Sequence, residues 1–336
     1  MKALRLHSVG NLILHEEAIP EPSPDEILVR VTAVGICGSD LHWYSESGIG
    51  DDRLERPLIL GHEFAGVIES GPLKGQRVAI DPAMPCEICE FCLQGHPNLC
   101  TAVRFAGHGE TDGALREFLT WPVKYTYPLP ESIDEIEGAM LEPLGVAIHA
   151  VDLAHLHPGM SVGVFGCGPI GLMIIQLARL SGATQIVATD RLEHRVEAAC
   201  FYGADVAFQA DGQTENSLVK EAAGKRGLDV TFEVAGENPA IETAVIAAKP
   251  GGKVILVGIP SENNTSFTAS TARRKGLTVK FVRRMKHTYP RSIQLVAQDR
   301  IDVRSIVTET FRLDEAEQAF KLAIEREGLK IVITEE

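Results

Sequence analysis

The sequence predicts an α/β protein in two parts, a β-rich domain and a doubly wound parallel sheet with helices on both faces. Three observations carry that expectation. From about residue 145 onward, buried-type strands alternate with helical stretches, the texture of a parallel sheet. The first third holds β-branched runs separated by Pro and Gly turns instead. Between a strand and an apolar helix stands Gly166-Cys167-Gly168-Pro169-Ile170-Gly171, a context in which G-x-G-x-x-G spacing has a structural use.

The elements follow in order. Pro20, Pro22 and Pro24 precede a strand over residues 27–34, which Gly35 closes; residues 64–68 and 76–80 read as two more strands. In the second part a strand at 162–165 leads into a helix at 170–180. A strand at 185–189 and a helix at about 193–202 come next. Strands at 229–233 and 253–257 enclose a helix at 240–248. Beyond about residue 290 lie helices at 292–298 and 313–325 and a last strand at 330–333, which is able to return to the first domain.

With 336 residues the chain is long enough for two cores. Its 45% hydrophobic and 23% charged content are those of a soluble globular protein. A formal charge of −14 argues against a nucleic-acid or anionic-membrane surface, because phosphate binding needs a basic footprint. The residues after Met1 mix Lys2, Arg5 and His7 into the apolar stretch, which is not the pattern of a signal peptide. The most apolar run, 162–178, is broken by Gly166, Gly168, Pro169 and Gly171 and makes a poor membrane span. A cytoplasmic protein with a small-molecule ligand is expected.

Seven cysteines are present, and four of them form Cys86-x2-Cys89-x2-Cys92-x7-Cys100. Two-residue gaps let thiolates converge on one tetrahedral cation, so zinc is the leading reading. An iron–sulfur cluster competes, but bacterial ferredoxins place the fourth cysteine after three residues and a Pro behind it. A pair of disulfides needs an oxidising compartment that nothing else in the chain suggests. Four thiolates leave no open position, so the metal here is structural.

In the glycine run, Gly166 permits the tight turn, Gly168 lets backbone approach a pyrophosphate, Ile170 opens the helix and Gly171 allows it to pack closely. Asp190 follows 19 residues after Gly171, near the ~20 expected of a carboxylate that binds the ribose hydroxyls. It favours NAD over NADP; Arg191 beside it is the discordant neighbour. Cys37-Gly38-Ser39-Asp40-Leu41-His42 and Gly61-His62-Glu63 add thiolate, imidazole and carboxylate, a set suited to a catalytic zinc with one position left open.

These segments, with Glu142-Pro143-Leu144, stand in the order found in zinc-dependent medium-chain dehydrogenases, and the chain resembles that family from about residue 1 to 333. Glu142-Pro143-Leu144, Val282-Arg283-Arg284 and Thr288-Tyr289-Pro290 look like its polyol dehydrogenases, of the sorbitol, xylitol and galactitol type. The resemblance implies a GroES-like catalytic domain (1–146 and 288–336) and a Rossmann NAD-binding domain (147–287). It implies two zinc ions per chain, the catalytic one on Cys37, His62 and Glu63, with Glu142 reaching it directly or through water. With Cys37 and Glu63 already neutralising Zn²⁺, only one carboxylate is expected to bind at a time. Asp40 would orient His62, and Ser39 would take the alcohol proton and pass it by the cofactor ribose towards His42. Arg195, Val257, Gly258, Ile259, Val282, Arg283 and Arg284 would contact NAD, and Trp43, Glu142 and Arg284 also the substrate. Trp43 stands where polyol dehydrogenases often have tyrosine, and the 69–78 turn is short, with Gln76 where aspartate is common. The resemblance also implies a homotetramer built through the last sheet strand, near residues 252–260. Threonine 3-dehydrogenase and a non-catalytic dinucleotide binder are the competing readings.

Overall fold

The structure, a computed structural model, describes residues 1–260 and 264–335. The chain forms two compact units, Met1–Gly145 with Lys286–Glu336, and Val146–Met285.

The first unit is organised around the strand Glu26–Gly35, whose residues alternate inward and outward as a half-buried strand requires. Ile27, Val29 and Val31 point into a core that also holds Leu6, Trp43, Phe64, Ile80 and Phe320. Glu63–Ile68 pairs antiparallel along one side of it. On the other side Phe118–Pro122 takes residues 26–30, and the last strand, Lys330–Thr334, takes residues 33–35. Gly35 therefore faces Glu63 across one ladder and Val332 across the other. The chain's end thus completes the sheet that its first third begins.

The helix after the first long strand was hidden in the sequence. Residues 38–46 show no apolar periodicity, yet Gly38–Glu46 is a helix. It starts because the Asp40 side chain accepts the N–H of Cys37, the residue that caps it, at 3.0 Å.

The second unit is a six-stranded sheet, parallel throughout. Its spatial order is Val206–Gln209, Gln185–Asp190, Ser161–Phe165, Leu228–Glu233, Ala248–Leu256, Thr278–Phe281. In chain order this is the 3-2-1-4-5-6 arrangement of dinucleotide-binding sheets. All six residues of Leu228–Glu233 are buried although apolar and polar residues alternate along it, so Asp229, Thr231 and Glu233 are buried polar groups in the middle of the sheet. The sheet corrects one expectation. Residues 252–260 are not its last strand: Ala248–Leu256 is paired on both sides, and the edge belongs to Thr278–Phe281. Four residues containing Lys280 gave too weak a strand signal to be read.

Candidate active site

Cys37, His62 and Glu63 each offer a ligand atom within 4.8 Å of the other two. Cys37 caps the helix Gly38–Glu46, and His62 and Glu63 follow Gly61 at the start of the strand Glu63–Ile68. Gly61 has φ +92°, and a Cβ there would approach Val34 Cγ1 to 2.8 Å, so both backbone and space require glycine. Asp40 is 1% exposed and holds the two segments together: its carboxylate accepts the N–H of Cys37 at 3.0 Å and of Gly61 at 3.2 Å. Its Oδ1 lies 3.4 Å from His62 Nδ1, while Ser39 Oγ lies 3.3 Å from His62 Nε2. This is the arrangement in which a carboxylate fixes the ring of a metal-binding imidazole.

Burial would push the Asp40 carboxyl up, but the facing His62 and the two backbone N–H groups bring it below its ordinary range. The His62 ring is disfavoured as a cation by burial, yet Asp40 and Cys37 opposite it raise it well above the usual histidine range. Glu142 sits in the helix Glu135–Ala154 just before Pro143 and is 5% exposed. Burial pushes its carboxyl up to about 8, with Glu63 and Asp81 adding and His62 and Lys330 opposing. The site is acidic, dry and short of positive charge. A divalent cation is what that donor set lacks, and thiolate, imidazole and carboxylate together suit zinc.

Sequence reasoning missed Lys330. It opens the strand Lys330–Thr334, is 5% exposed, and donates from Nζ to the Ile36 carbonyl at 2.8 Å and to the Glu63 carboxylate. A lysine leading a buried β-branched run was the available signal. Its charge offsets one carboxylate, so the expectation that two bound glutamates over-neutralise zinc was drawn without a term it needed.

His42 is half-buried, with Nδ1 at 3.3 Å from Glu46. Trp43, an expected substrate contact, is 2% exposed and packs in the core with its ring edge against His108.

Cys86, Cys89, Cys92 and Cys100 form a second cluster, their sulfurs all within 4.8 Å of one another. All seven cysteines are free, so no disulfide closes this loop. N–H groups of Ile88 and Cys89 draw the Cys86 thiol down to about 6, whereas burial and the neighbouring Cys89 and Cys100 push Cys92 up to about 12. A site that ionises one thiol and crowds the others favours a shared cation.

In the second unit the glycine run divides its labour as the spacing suggests. Gly166 has φ +106°, and a Cβ at Gly171 would lie 2.0 Å from the Gly166 carbonyl oxygen. Gly168 has open space with only Arg195 Nη1 bordering it, at 3.6 Å from where a Cβ would stand. Gly168 caps the helix Pro169–Leu180, which begins Pro169-Ile170, so N–H groups and a guanidinium meet where a phosphate would bind. Asp190 ends the adjacent strand and accepts the N–H of Cys167 at 2.7 Å and of Leu192 at 3.0 Å. Val257 and Gly258 follow the strand Ala248–Leu256 and donate to the Glu233 carbonyl. Ile259 is exposed, and a Cβ at Gly258 would lie 2.1 Å from the Gly236 nitrogen. Val282 extends the edge strand by donating to Leu256, Arg283 is exposed, and Arg284 is half-buried with φ +54°.

The chain belongs to the zinc-binding dehydrogenases. Residues 23–131 match the alcohol dehydrogenase GroES-like domain and residues 169–298 the zinc-binding dehydrogenase domain. It is 34% identical to a sorbitol dehydrogenase of Bacillus subtilis, across 99% of this chain and 97% of that protein. An Escherichia coli oxidoreductase/dehydrogenase of unknown specificity superposes with a TM-score of 0.93 at 32% identity, covering 99% and 98% of the two chains. A Sinorhizobium meliloti zinc-binding dehydrogenase solved with NADP superposes at 0.89 with 31% identity, covering 99% and 98%. The protein is a dehydrogenase with a GroES-like domain and a Rossmann domain.

Proposed function

We propose that the protein oxidises a secondary alcohol of a polyol to the ketone, with NAD⁺ as acceptor. The observation that carries this is the convergence of Cys37, His62 and Glu63, with Glu142 buried in the same electrostatic environment. Cys37, His62 and Glu63 would hold the catalytic zinc, and Cys86, Cys89, Cys92 and Cys100 the structural one. When bound, zinc polarises the alcohol oxygen and the nicotinamide accepts the hydride.

The chain's own residues supply the rest. Asp40 keeps the His62 ring turned so that Nε2 faces the site. Ser39, held beside that nitrogen, is placed to accept the alcohol proton, and His42 lies further along the same helix as the next station. Two electrons and one proton leave together as hydride, and the second proton goes to solvent. Arg284 and Glu142 would bind substrate hydroxyls. The crest of Gly166, Gly168, Ile170, Gly171, Asp190, Arg195, Val257, Gly258, Ile259, Val282 and Arg283 would bind the dinucleotide. Asp190 supports NAD, since a carboxylate there repels a 2′-phosphate. A homotetramer and a cytoplasmic location belong to the same reading.

The test is NADH or NADPH formation over a panel of polyols, simple alcohols and threonine, before and after a chelator. Chelator-sensitive turnover of a polyol with NAD⁺ is the expected result. Turnover of threonine alone would reassign the substrate, and a preference for NADP⁺ would overturn the role given to Asp190.

A further inference from the structure

We propose that Lys330 is a positioning residue for the catalytic metal: it engages Oε2 of Glu63, so that Glu63 offers the metal one oxygen, and it ties that carboxylate to the backbone that carries Cys37. This rests on the reading of Cys37, His62 and Glu63 as a metal site.

The first support is burial. A lysine is almost never fully buried unless paired, because an unpaired ammonium in a dry site is costly. Lys330 is buried with two acceptors in place, the Glu63 carboxylate and the carbonyl of Ile36, the residue before Cys37. One ammonium thus links the two segments that supply the thiolate and the carboxylate.

The second support is the register. Lys330 lies two residues before Val332, which faces Gly35, and Gly35 in turn faces Glu63 on the next strand. Residues two apart share a face of a strand. The lysine side chain therefore crosses above Gly35 to reach a carboxylate one strand further on.

The third support is Gly35 itself. A Cβ there would stand 2.2 Å from Glu63 Oε2 and 3.1 Å from Lys330 Cε. Gly35 has no left-handed backbone, so space alone demands glycine at this position. Its missing side chain is the passage through which the pair forms. With Oε2 engaged, Oε1 is the oxygen left for a metal, and the ammonium offsets one of the site's negative charges.

The experiment compares wild type, Lys330→Met, Lys330→Arg and Gly35→Ala, each loaded with zinc and separately with cobalt. It reads metal content, the rate of metal loss to a chelator, and the visible cobalt spectrum. Wild type is expected to hold two metals per chain. Lys330→Met should lose the catalytic-site metal about 10- to 100-fold faster, the range for losing an outer partner of a metal ligand. Its cobalt band should weaken as Glu63 binds through both oxygens and coordination rises. Lys330→Arg, which keeps charge and donors, should stay within about threefold of wild type. Gly35→Ala, which leaves every charged group in place, should behave like Lys330→Met. Should Lys330→Met fail to fold, Lys330→Gln, which also removes the ammonium, takes its place, because the alanine of Gly35→Ala presses on Glu63 Oε2 directly as well as on Lys330. Release rates and spectra unchanged from wild type in the folded variants overturn the proposal. A single metal per chain in wild type, held by the four-cysteine loop, overturns instead the reading on which it rests.

Discussion

The two cysteine-bearing clusters of the first unit are built in opposite ways. The loop from Cys86 to Cys100 gathers four like donors from one short segment. Cys37, His62 and Glu63 come from the end of one strand and the start of another, and are set by Asp40, three residues after Cys37, and by Lys330 from the last strand. Around the loop the side chains face solvent: Ile88 is 81% and Leu93 76% exposed. Around the mixed cluster Asp40, His62, Glu63, Glu142 and Lys330 are all buried. A closed set of four thiolates fixes a loop. An incomplete set of unlike donors in a dry, acidic setting leaves a position for chemistry, at the cost of needing residues from the whole domain to hold it.

The largest expected effect separates the two clusters outright. Cys37→Ser should lower kcat/KM by about 1000-fold or more, since a catalytic metal contributes several kcal/mol and each 1.36 kcal/mol is tenfold. Metal analysis should then find one ion per chain, with thermal stability close to wild type. Substantial turnover in this variant would mean that the mixed cluster is not the reacting centre.

Asp40 tests whether the mixed cluster depends on support. Asp40→Asn keeps the shape but removes the charge that faces His62 and weakens the bonds to Cys37 and Gly61. Activity or catalytic-metal affinity should fall about 10- to 100-fold. The four-cysteine metal should be untouched, as read by its cobalt-to-thiolate absorption. An Asp40→Asn enzyme indistinguishable from wild type would deny the carboxylate its orienting role.

The same contrast explains what the sequence made legible. The parallel sheet was readable because short strands alternate with helices along the chain and its glycine run sits between strand and helix. The four-cysteine loop was readable because its donors are adjacent in the chain. Cys37, His62 and Glu63 were recognisable as a pattern, yet their support was not. Lys330 stands 267 residues from Glu63, and only the pairing of Lys330–Thr334 with Glu26–Gly35 brings them together. The helix Gly38–Glu46 was hidden because a cap, not an apolar stripe, starts it. The edge strand Thr278–Phe281 was hidden by its length, and the burial of Trp43 was hidden because its neighbours along the chain give no sign of which way its helix faces.

The pH response of the loop thiols is a finer probe. In metal-free protein Cys86, drawn down to about 6 by backbone N–H groups, is ionised at neutral pH, whereas Cys92 at about 12 is not. The thiolate fraction of Cys86 falls as pH drops through 6. Its alkylation rate should therefore decrease roughly tenfold between pH 7 and pH 5, read by peptide mass spectrometry. Equal reactivity of Cys86 and Cys92 at pH 7 would show that the loop does not hold its metal-free geometry.

The smallest effect on catalysis is expected from the most conspicuous motif. Between Cys86 and Cys100 only Asn98 and Cys100 are buried, so the segment has no apolar core of its own and depends on its sulfurs for order. Cys92→Ser should release that metal and loosen the loop. The cost should be about 2 kcal/mol, or a Tm lower by roughly 5 °C, because the main core of the unit lies elsewhere. With the mixed cluster still loaded, kcat/KM at 25 °C should stay within about threefold, as expected for a change remote from the reacting groups. Differential scanning calorimetry and steady-state rates on the same preparation make the check. A collapse of activity with the catalytic metal and the fold intact would show that the two clusters are coupled, and that the loop does more than hold its own residues in place.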